Sequence, residues 1–292
     1  LFADLIACAS MEARECSINP MDERVQNARP HPGQKIVAER IIQIMSGSPI
    51  LAAHSDCEKV QDAYSFRCIP QVHGAVYQRF LELQNTLQIE INSATDNPLI
   101  FPDLANPGPH EVISQGNFHG EILALTADSM SHAIFELANI SERRIDQMID
   151  PARSNLPAFL AKDSGLESGM MIVHYVAAAA LAELHGHAMP RSAFSTPTSA
   201  GQEDHVSMGA TACWNLVQAT DRLSQVLACE LLVACEALEL RVAEPAPHVA
   251  TLYKIVRMIS PALEGDRSVS ADIEMISLEI ASGGWISRIE AE

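Results

Sequence analysis

Residues 210–244, ATACWNLVQATDRLSQVLACELLVACEALELRVAE, contain neither glycine nor proline. Leu216, Leu223, Val226, Leu227, Leu231, Val233, Ala234 and Leu238 recur at the three- and four-residue spacing of a helix. The run predicts a rod of about 50 Å, bounded by Gly209 and by Pro245-Ala246-Pro247. The same spacing predicts a helix over 34–45, carried by Ile36, Val37, Ile41, Ile42 and Ile44. Val76, Phe80, Leu83, Leu87 and Ile91 predict another, ending at Asp96-Asn97-Pro98 because a residue before proline is pushed out of helical geometry. A third begins near Gly116-Asn117 and runs through Ile122, Leu125, Met130, Ile134, Leu137, Ile140, Ile145 and Met148 to Pro151. Further helices are predicted over 170–184, 250–258 and 270–281. No alternating strand pattern extends anywhere, so the predicted fold class is all-α, a long-helix bundle. Residues 1–244 are expected to form the central bundle with its loops, and 245–292 the helices packing on it.

Composition agrees with that class and excludes others. The 292 residues are 48% hydrophobic but only 5% aromatic, which suits packed aliphatic helices. A formal charge of −18 and a pI near 4.9 leave no basic patch for nucleic acid. No apolar run reaches the roughly 20 residues of a membrane span, and the start, with Asp4 and no basic leader, is a poor signal peptide. The seven cysteines, at 8, 16, 57, 68, 213, 229 and 235, are odd in number and form no Cys-x-x-Cys pair. Reduced thiols and a cytoplasmic setting are therefore expected. His185-Gly186-His187 lacks a third ligand at helix spacing, and no metal is expected.

The segment ahead of the long rod concentrates polar chemistry: Ser195-Thr196-Pro197-Thr198-Ser199-Ala200-Gly201-Gln202-Glu203-Asp204-His205-Val206-Ser207-Met208-Gly209. Read from its residues alone it is a capped helix start, with Glu203 at or just before the N-terminus, where the helix dipole favours a carboxylate or an anionic ligand. Its wording resembles the glutamate-bearing active-site segment of histidine ammonia-lyases, within the family of aromatic amino-acid lyases and aminomutases. Arg29-Pro30-His31-Pro32-Gly33-Gln34, Gln61-Asp62-Ala63-Tyr64-Ser65-Phe66-Arg67-Cys68-Ile69-Pro70-Gln71, Thr95-Asp96-Asn97-Pro98-Leu99, Gly116-Asn117-Phe118-His119-Gly120-Glu121, Ser141-Glu142-Arg143-Arg144 and Leu156-Pro157-Ala158-Phe159-Leu160 follow the family's motifs in the family's order.

The resemblance implies non-oxidative deamination of an amino acid, with Arg67 gripping the substrate carboxylate and Asn97 as a second contact to it. Tyr64 and Gln61 would lie by the reacting centre, Phe118 beside the ring and substrate, and Glu203 on the substrate side chain. Taken singly, Arg67 reads as a salt-bridging arginine, Asn97 as a turn asparagine and Phe118 as a packing residue. A carboxylate at Glu203, where lyases of phenylalanine or tyrosine carry a neutral group, favours L-histidine as substrate and trans-urocanate as product. The family's electrophile is a methylidene-imidazolone ring cyclised from an Ala-Ser-Gly triplet upstream of these motifs. No such triplet precedes Arg29, and the chain opens inside a helical pattern of Phe2, Leu5, Ile6 and Ala9. The sequence thus reads as the C-terminal part of a longer protein, with the cofactor and an N-terminal fragment as the missing partner. Ala281-Ser282-Gly283 repeats the triplet at a helix end, where a C-cap is the better account.

The resemblance also implies a homotetramer with active sites shared between subunits. Several helix N-termini are expected to aim at one place. Glu167, Ala158 and His73 depart from the usual wording and bear on fine substrate tuning. Two alternatives remain open, a tyrosine or phenylalanine lyase or aminomutase on the same scaffold, and a non-catalytic helical subunit of such an assembly. The related fumarase and aspartase group is excluded by the absence of its Gly-Ser-Ser-x-Met-Pro loop.

Overall fold

The structure, a computed structural model, describes residues 1–54, 60–105 and 111–285. Cys57 and part of the proline-rich 102–109 loop lie outside the described residues. The chain runs through α1 (Phe2–Ala13), α2 (Glu23–Ala28), α3 (Pro32–Ile44), α4 (Pro49–Ala53), α5 (Tyr64–Arg67) and α6 (Ile69–Glu90). A hairpin of β1 (Leu99–Phe101) and β2 (Glu111–Ile113) precedes α7 (Glu121–Ile149) and α8 (Pro151–Ser154). There follow α9 (Met171–His187), α10 (Gly209–Leu238), α11 (Pro247–Ile259) and α12 (Ser270–Ser282). The all-α class holds. The hairpin corrects the expectation of no strand, with Leu99 paired to Ile113 and Phe101 to Glu111.

The rod read from the sequence is α10, and from Val226 to Leu238 every residue of it is buried. A helix apolar all round belongs at the centre of a bundle, and α1, α7, α9 and α12 surround it. Helices α7 and α10 run parallel: Asn215 reaches Ser131 at 3.5 Å, and Glu230 accepts from Ser141 at 2.5 Å and from Arg144. At their starts a Cβ on Gly209 would sit 3.2 Å from the Gly120 carbonyl oxygen, so the two N-termini abut. Helix α9 runs against them, since His174 contacts Glu142 while His187, thirteen residues on, contacts Asn215. Helix α3 crosses α6 where Gly33 meets Gly74; a Cβ at Gly33 would lie 2.1 Å from the Gly74 carbonyl oxygen, a crossing no larger residue permits. Gly283 ends α12 in the left-handed conformation at φ 72°, its N–H reaching the Glu279 carbonyl, as the C-cap reading expects.

A polar chain threads this apolar centre. Arg144 is fully buried and forks onto Glu230 through Nε at 2.5 Å and Nη2 at 2.9 Å. Its Nη1 lies 3.3 Å from His73 Nε2, and His73 Nδ1 lies 2.8 Å from Asp4, which also pairs with Arg40. A guanidinium only donates, so His73 Nε2 accepts and Nδ1–H donates to Asp4. Burial pushes the Asp4 carboxyl up, but the His73 hydrogen bond and the charges around it outweigh burial and hold it at about 2. Burial pushes the His73 imidazole below its ordinary value, keeping it neutral.

Both shifts penalise acid. Asp4 has a folded value below its ordinary 3.8, so its contribution of about 2 kcal/mol is present above pH 4 and lost as pH falls toward 2. His73 binds a proton more readily when unfolded, so its share declines as pH falls below 6.5. Urea midpoints measured against pH are expected to fall from 6.5 downward, with a further step below pH 4 that is missing in Asp4→Asn. A step below pH 4 as large in Asp4→Asn as in wild type would refute this assignment.

Candidate active site

The predicted site residues fall into two groups at opposite ends of the bundle. The first is the turn ahead of α6. Asp62 accepts the Ser17 N–H at 2.8 Å and ties the 60–63 segment to the turn that follows α1. Arg67 Nη1 donates to Gln61 Oε1 at 2.7 Å, and its guanidinium carbon lies 4.5 Å from the Tyr64 ring centroid, a cation–π contact. Tyr64 is 72% exposed, whereas Ser65 and Phe66 on the other side of the turn are buried. The Arg67 Nε is buried without a hydrogen-bond partner among the described residues. Gln61 and Arg67 line a cleft of about 550 Å³ with Ser17, Asn19 and His54. A planar guanidinium that lines an open cleft and has a spare Nε donor is suited to a carboxylate held by two parallel hydrogen bonds once the side chain turns to face it.

The second group lies at the joined starts of α7 and α10. Asn97 Oδ1 accepts the Gln115 N–H at 2.9 Å, which leaves its NH2 as the group able to donate to a carboxylate. Gln115 in turn accepts the Asn117 N–H, so Asn97 is tied to the segment carrying Phe118, which is 54% exposed. His119 Nε2 lies 3.2 Å from the His205 carbonyl oxygen, and the two imidazoles stack with centroids 5.4 Å apart. That contact joins the Phe118 segment to the Glu203 loop.

Glu203 corrects the sequence reading. Helix α10 starts six residues later, at Gly209, with Met208 left-handed at φ 56° and the Ser207 hydroxyl accepting the Gly209 N–H at 3.2 Å. Glu203 pairs instead with Thr198: the Thr198 N–H donates to its carbonyl at 2.9 Å, and the Thr198 hydroxyl donates to its carboxylate. Ser199 and Ala200 between them hold φ of 49° and 55°, a left-handed pair uncommon for residues with a side chain. The dipole of α10 fades within its first turn, so the Glu203 carboxylate is fixed by this closed loop and not by a helix end.

Of the three helix starts expected to converge, those of α7 and α10 do meet, whereas the start of α6 lies at the other end of the bundle. Tyr64 borders Asn139, Ile140, Arg143 and Gln147, in the second half of α7, whereas Phe118 precedes its first residue. Glu121 and Arg144 are about 35 Å apart along that helix. Among the described residues no hydrogen bond, ion pair or ring contact joins Gln61, Tyr64 or Arg67 to Asn97, Phe118 or Glu203.

The family model for aromatic amino acid lyases matches residues 1–258. The chain belongs to this family. It is 41% identical over 290 residues to the histidine ammonia-lyase of Myxococcus xanthus, covering 99% of this chain and 56% of that protein. The crystal structure of histidine ammonia-lyase from Trypanosoma cruzi superposes with a TM-score of 0.89 at 38% identity, over 99% of this chain and 54% of that one. Tyrosine aminomutase from Streptomyces globisporus superposes with a TM-score of 0.91 at 31% identity, over 99% and 58%. The chain thus spans about half the length of the relatives it matches.

Two features of this lyase-family chain escaped the motif reading. His119, Glu121 and His205 approach closely enough for one ligand atom from each to reach a common metal ion. A carbonyl oxygen only accepts, so His119 Nε2 carries the proton there, and that bond uses a nitrogen a metal would need. We read the group as a clasp between the two segments. His185 and His187 are engaged elsewhere, by Phe135 and Asn215. The buried Arg144–Glu230 pair had a sequence signal of its own: Arg144 falls in phase with Leu137, Ser141 and Met148, and Glu230 with Leu223, Leu227 and Ala234, two opposite charges on two apolar stripes.

Proposed function

We propose that this chain is the C-terminal portion of a histidine ammonia-lyase, which converts L-histidine to trans-urocanate and ammonia without oxidation. The observation that carries the reading is Arg67, stacked on Tyr64, bonded to Gln61, lining the same cleft and left with an unpaired Nε. In the reaction the Cα–N bond breaks, a β-proton leaves, and a trans double bond forms. Arg67 holds the substrate carboxylate through two hydrogen bonds, with the Asn97 NH2 as a further donor. Tyr64 presents its phenol oxygen for hydrogen bonding or proton exchange, with Gln61 beside it. Glu203 accepts the imidazole N–H, and Phe118 offers an aromatic face to the substrate.

The methylidene-imidazolone ring, carried by a region ahead of this chain, would supply the electrophile that makes the amino group a leaving group. Two aromatic side chains more than half exposed, Tyr64 and Phe118, suit a flat ring and a flat substrate between them. Ala281-Ser282-Gly283 is the capped end of α12 and is not assigned that role.

Because α7 separates the two groups, the complete site is built from more than one copy of the chain. The surfaces that would meet are apolar: Phe80 and Leu87 along α6 and Ile91 just past its end, Ile122 and Leu125 on α7, and Trp214 and Val217 on α10 are all exposed. Exposed apolar side chains on three neighbouring helices suit an interaction surface, and a homotetramer is the assembly we assign. Among the described residues no helix is long and apolar enough to cross a membrane, and we place the protein in the cytoplasm.

The reading is tested by expressing residues 1–292 alone and joined to the N-terminal region of a full-length relative. Urocanate absorbance is expected from the joined protein and not from the chain alone. Robust turnover by the isolated chain contradicts the proposal.

A further inference from the structure

The buried polar chain ends on the candidate site. Arg144 Nη1, besides facing His73, lies 3.4 Å from the Ser65 carbonyl oxygen. Ser65 stands between Tyr64 and Arg67 in α5, a helix of four residues. So short a helix cannot satisfy its own last carbonyls or hold its own shape, and its geometry is set from outside. Outside means α7, through Arg144, and behind Arg144 three more helices. Glu230 on α10 accepts from Arg144 twice, from Ser10 on α1 at 2.7 Å and from Ser141 on α7. His73 on α6 bridges Arg144 to Asp4 on α1.

A buried ion pair is a poor source of stability, since a well-packed apolar replacement is often neutral or better. A fully bonded one fixes geometry. Here it links five elements, and the one with the least structure of its own carries Tyr64 and Arg67. We propose that Arg144, with His73 and Glu230 behind it, is a positioning residue for the Tyr64–Arg67 turn and acts through the Ser65 carbonyl. The proposal rests on the reading of Tyr64 and Arg67 as site residues. His73, a departure in sequence from the family's usual wording, has a defined part: it accepts from Arg144 and donates to Asp4, so that Nη1 is held where it meets Ser65.

The test uses the complete, assembled protein with histidine as substrate, well below its unfolding temperature. His73→Leu removes both hydrogen bonds, and the turn carrying the carboxylate clamp and the phenol shifts. KM is expected to rise and kcat to fall together, with kcat/KM down about tenfold or more, as a small misplacement of site groups costs. His73→Gln offers an amide that accepts from Arg144 and donates to Asp4, and is expected to restore both constants most of the way. Asp4→Asn, which keeps shape and a hydrogen-bond acceptor, serves if the leucine variant does not assemble, and is expected to move both constants in the same direction by less. Wild-type kcat and KM in an assembled His73→Leu or Asp4→Asn variant overturn the proposal, as does a glutamine variant as impaired as the leucine one. Arg67→Lys is run alongside: if that control is kinetically silent, the reading of the site fails; if it is impaired while His73→Leu is not, only the positioning role fails.

Discussion

Arg67→Lys in the complete protein is expected to lower kcat/KM for histidine by about a hundredfold, the cost of exchanging a bidentate clamp for a point charge. Lysine keeps the charge but loses the fixed fork, the stack on Tyr64 and the Nε donor that has no partner among the described residues. Because the clamp both binds the substrate and orients it for the reaction, KM should rise and kcat fall. Steady-state kinetics with histidine decide it. Unchanged constants would make Arg67 a surface arginine and move the site elsewhere.

The second large effect concerns selectivity. Glu203→Gln should reduce kcat/KM for histidine by about two orders of magnitude while harming any slow turnover of phenylalanine or tyrosine much less. A phenyl ring has no N–H to satisfy the carboxylate, whereas a neutral amide costs less to leave unpaired. The closed Thr198–Glu203 loop makes the substitution a clean one, since Thr198 can donate to an amide oxygen as it does to the carboxylate. The ratio of kcat/KM for histidine to that for each aromatic substrate, in wild type and variant, is the measurement. A ratio that does not change places selectivity outside this loop.

The long elements were legible because period and punctuation agree. Between Gly209 and Pro245 nothing interrupts the three-and-four spacing, and α10 occupies most of that run. It ends at Leu238 and not at residue 244, where a tertiary contact takes over: Arg241 donates to the Ala13 carbonyl at 2.8 Å through Nε, pulling the chain toward α1. Helix α6 stops at Glu90, ahead of the Asp96-Asn97-Pro98 boundary, where the Asn92 and Ser93 side chains donate to the Gln88 and Ile89 carbonyls and compete with the next turn. Helix α7 starts at Glu121, since the Gly116–His119 turn and the Gln115 side chain hold the preceding residues. The β1–β2 hairpin is three residues a strand and exposed, too short for alternation to register.

The candidate site is legible in the sequence as a set of residue identities and not as an arrangement. Motif wording selects Gln61, Tyr64, Arg67, Asn97, Phe118 and Glu203, and the fold gathers Gln61 with Tyr64 and Arg67, and Asn97 with Phe118 and the Glu203 loop. Which end of the bundle each group occupies depends on the direction of α7 against α6. Periodicity carries no sign of direction, so the meeting of the α7 and α10 starts and the separation of the α6 start from them are visible only in the fold.

That geometry leads to the central claim, a site completed by another copy. Tyr64→Phe and Glu203→Ala forms of the complete protein, each assembled alone, are expected to be nearly inactive on histidine. Unfolding and refolding them together in equal amounts should return about a quarter of wild-type activity, because a site taking its two groups from different copies is intact whenever each copy supplies its unaltered group. No recovery above either parent, with mixed assemblies confirmed by mass, would show that one copy supplies both groups and would contradict the account.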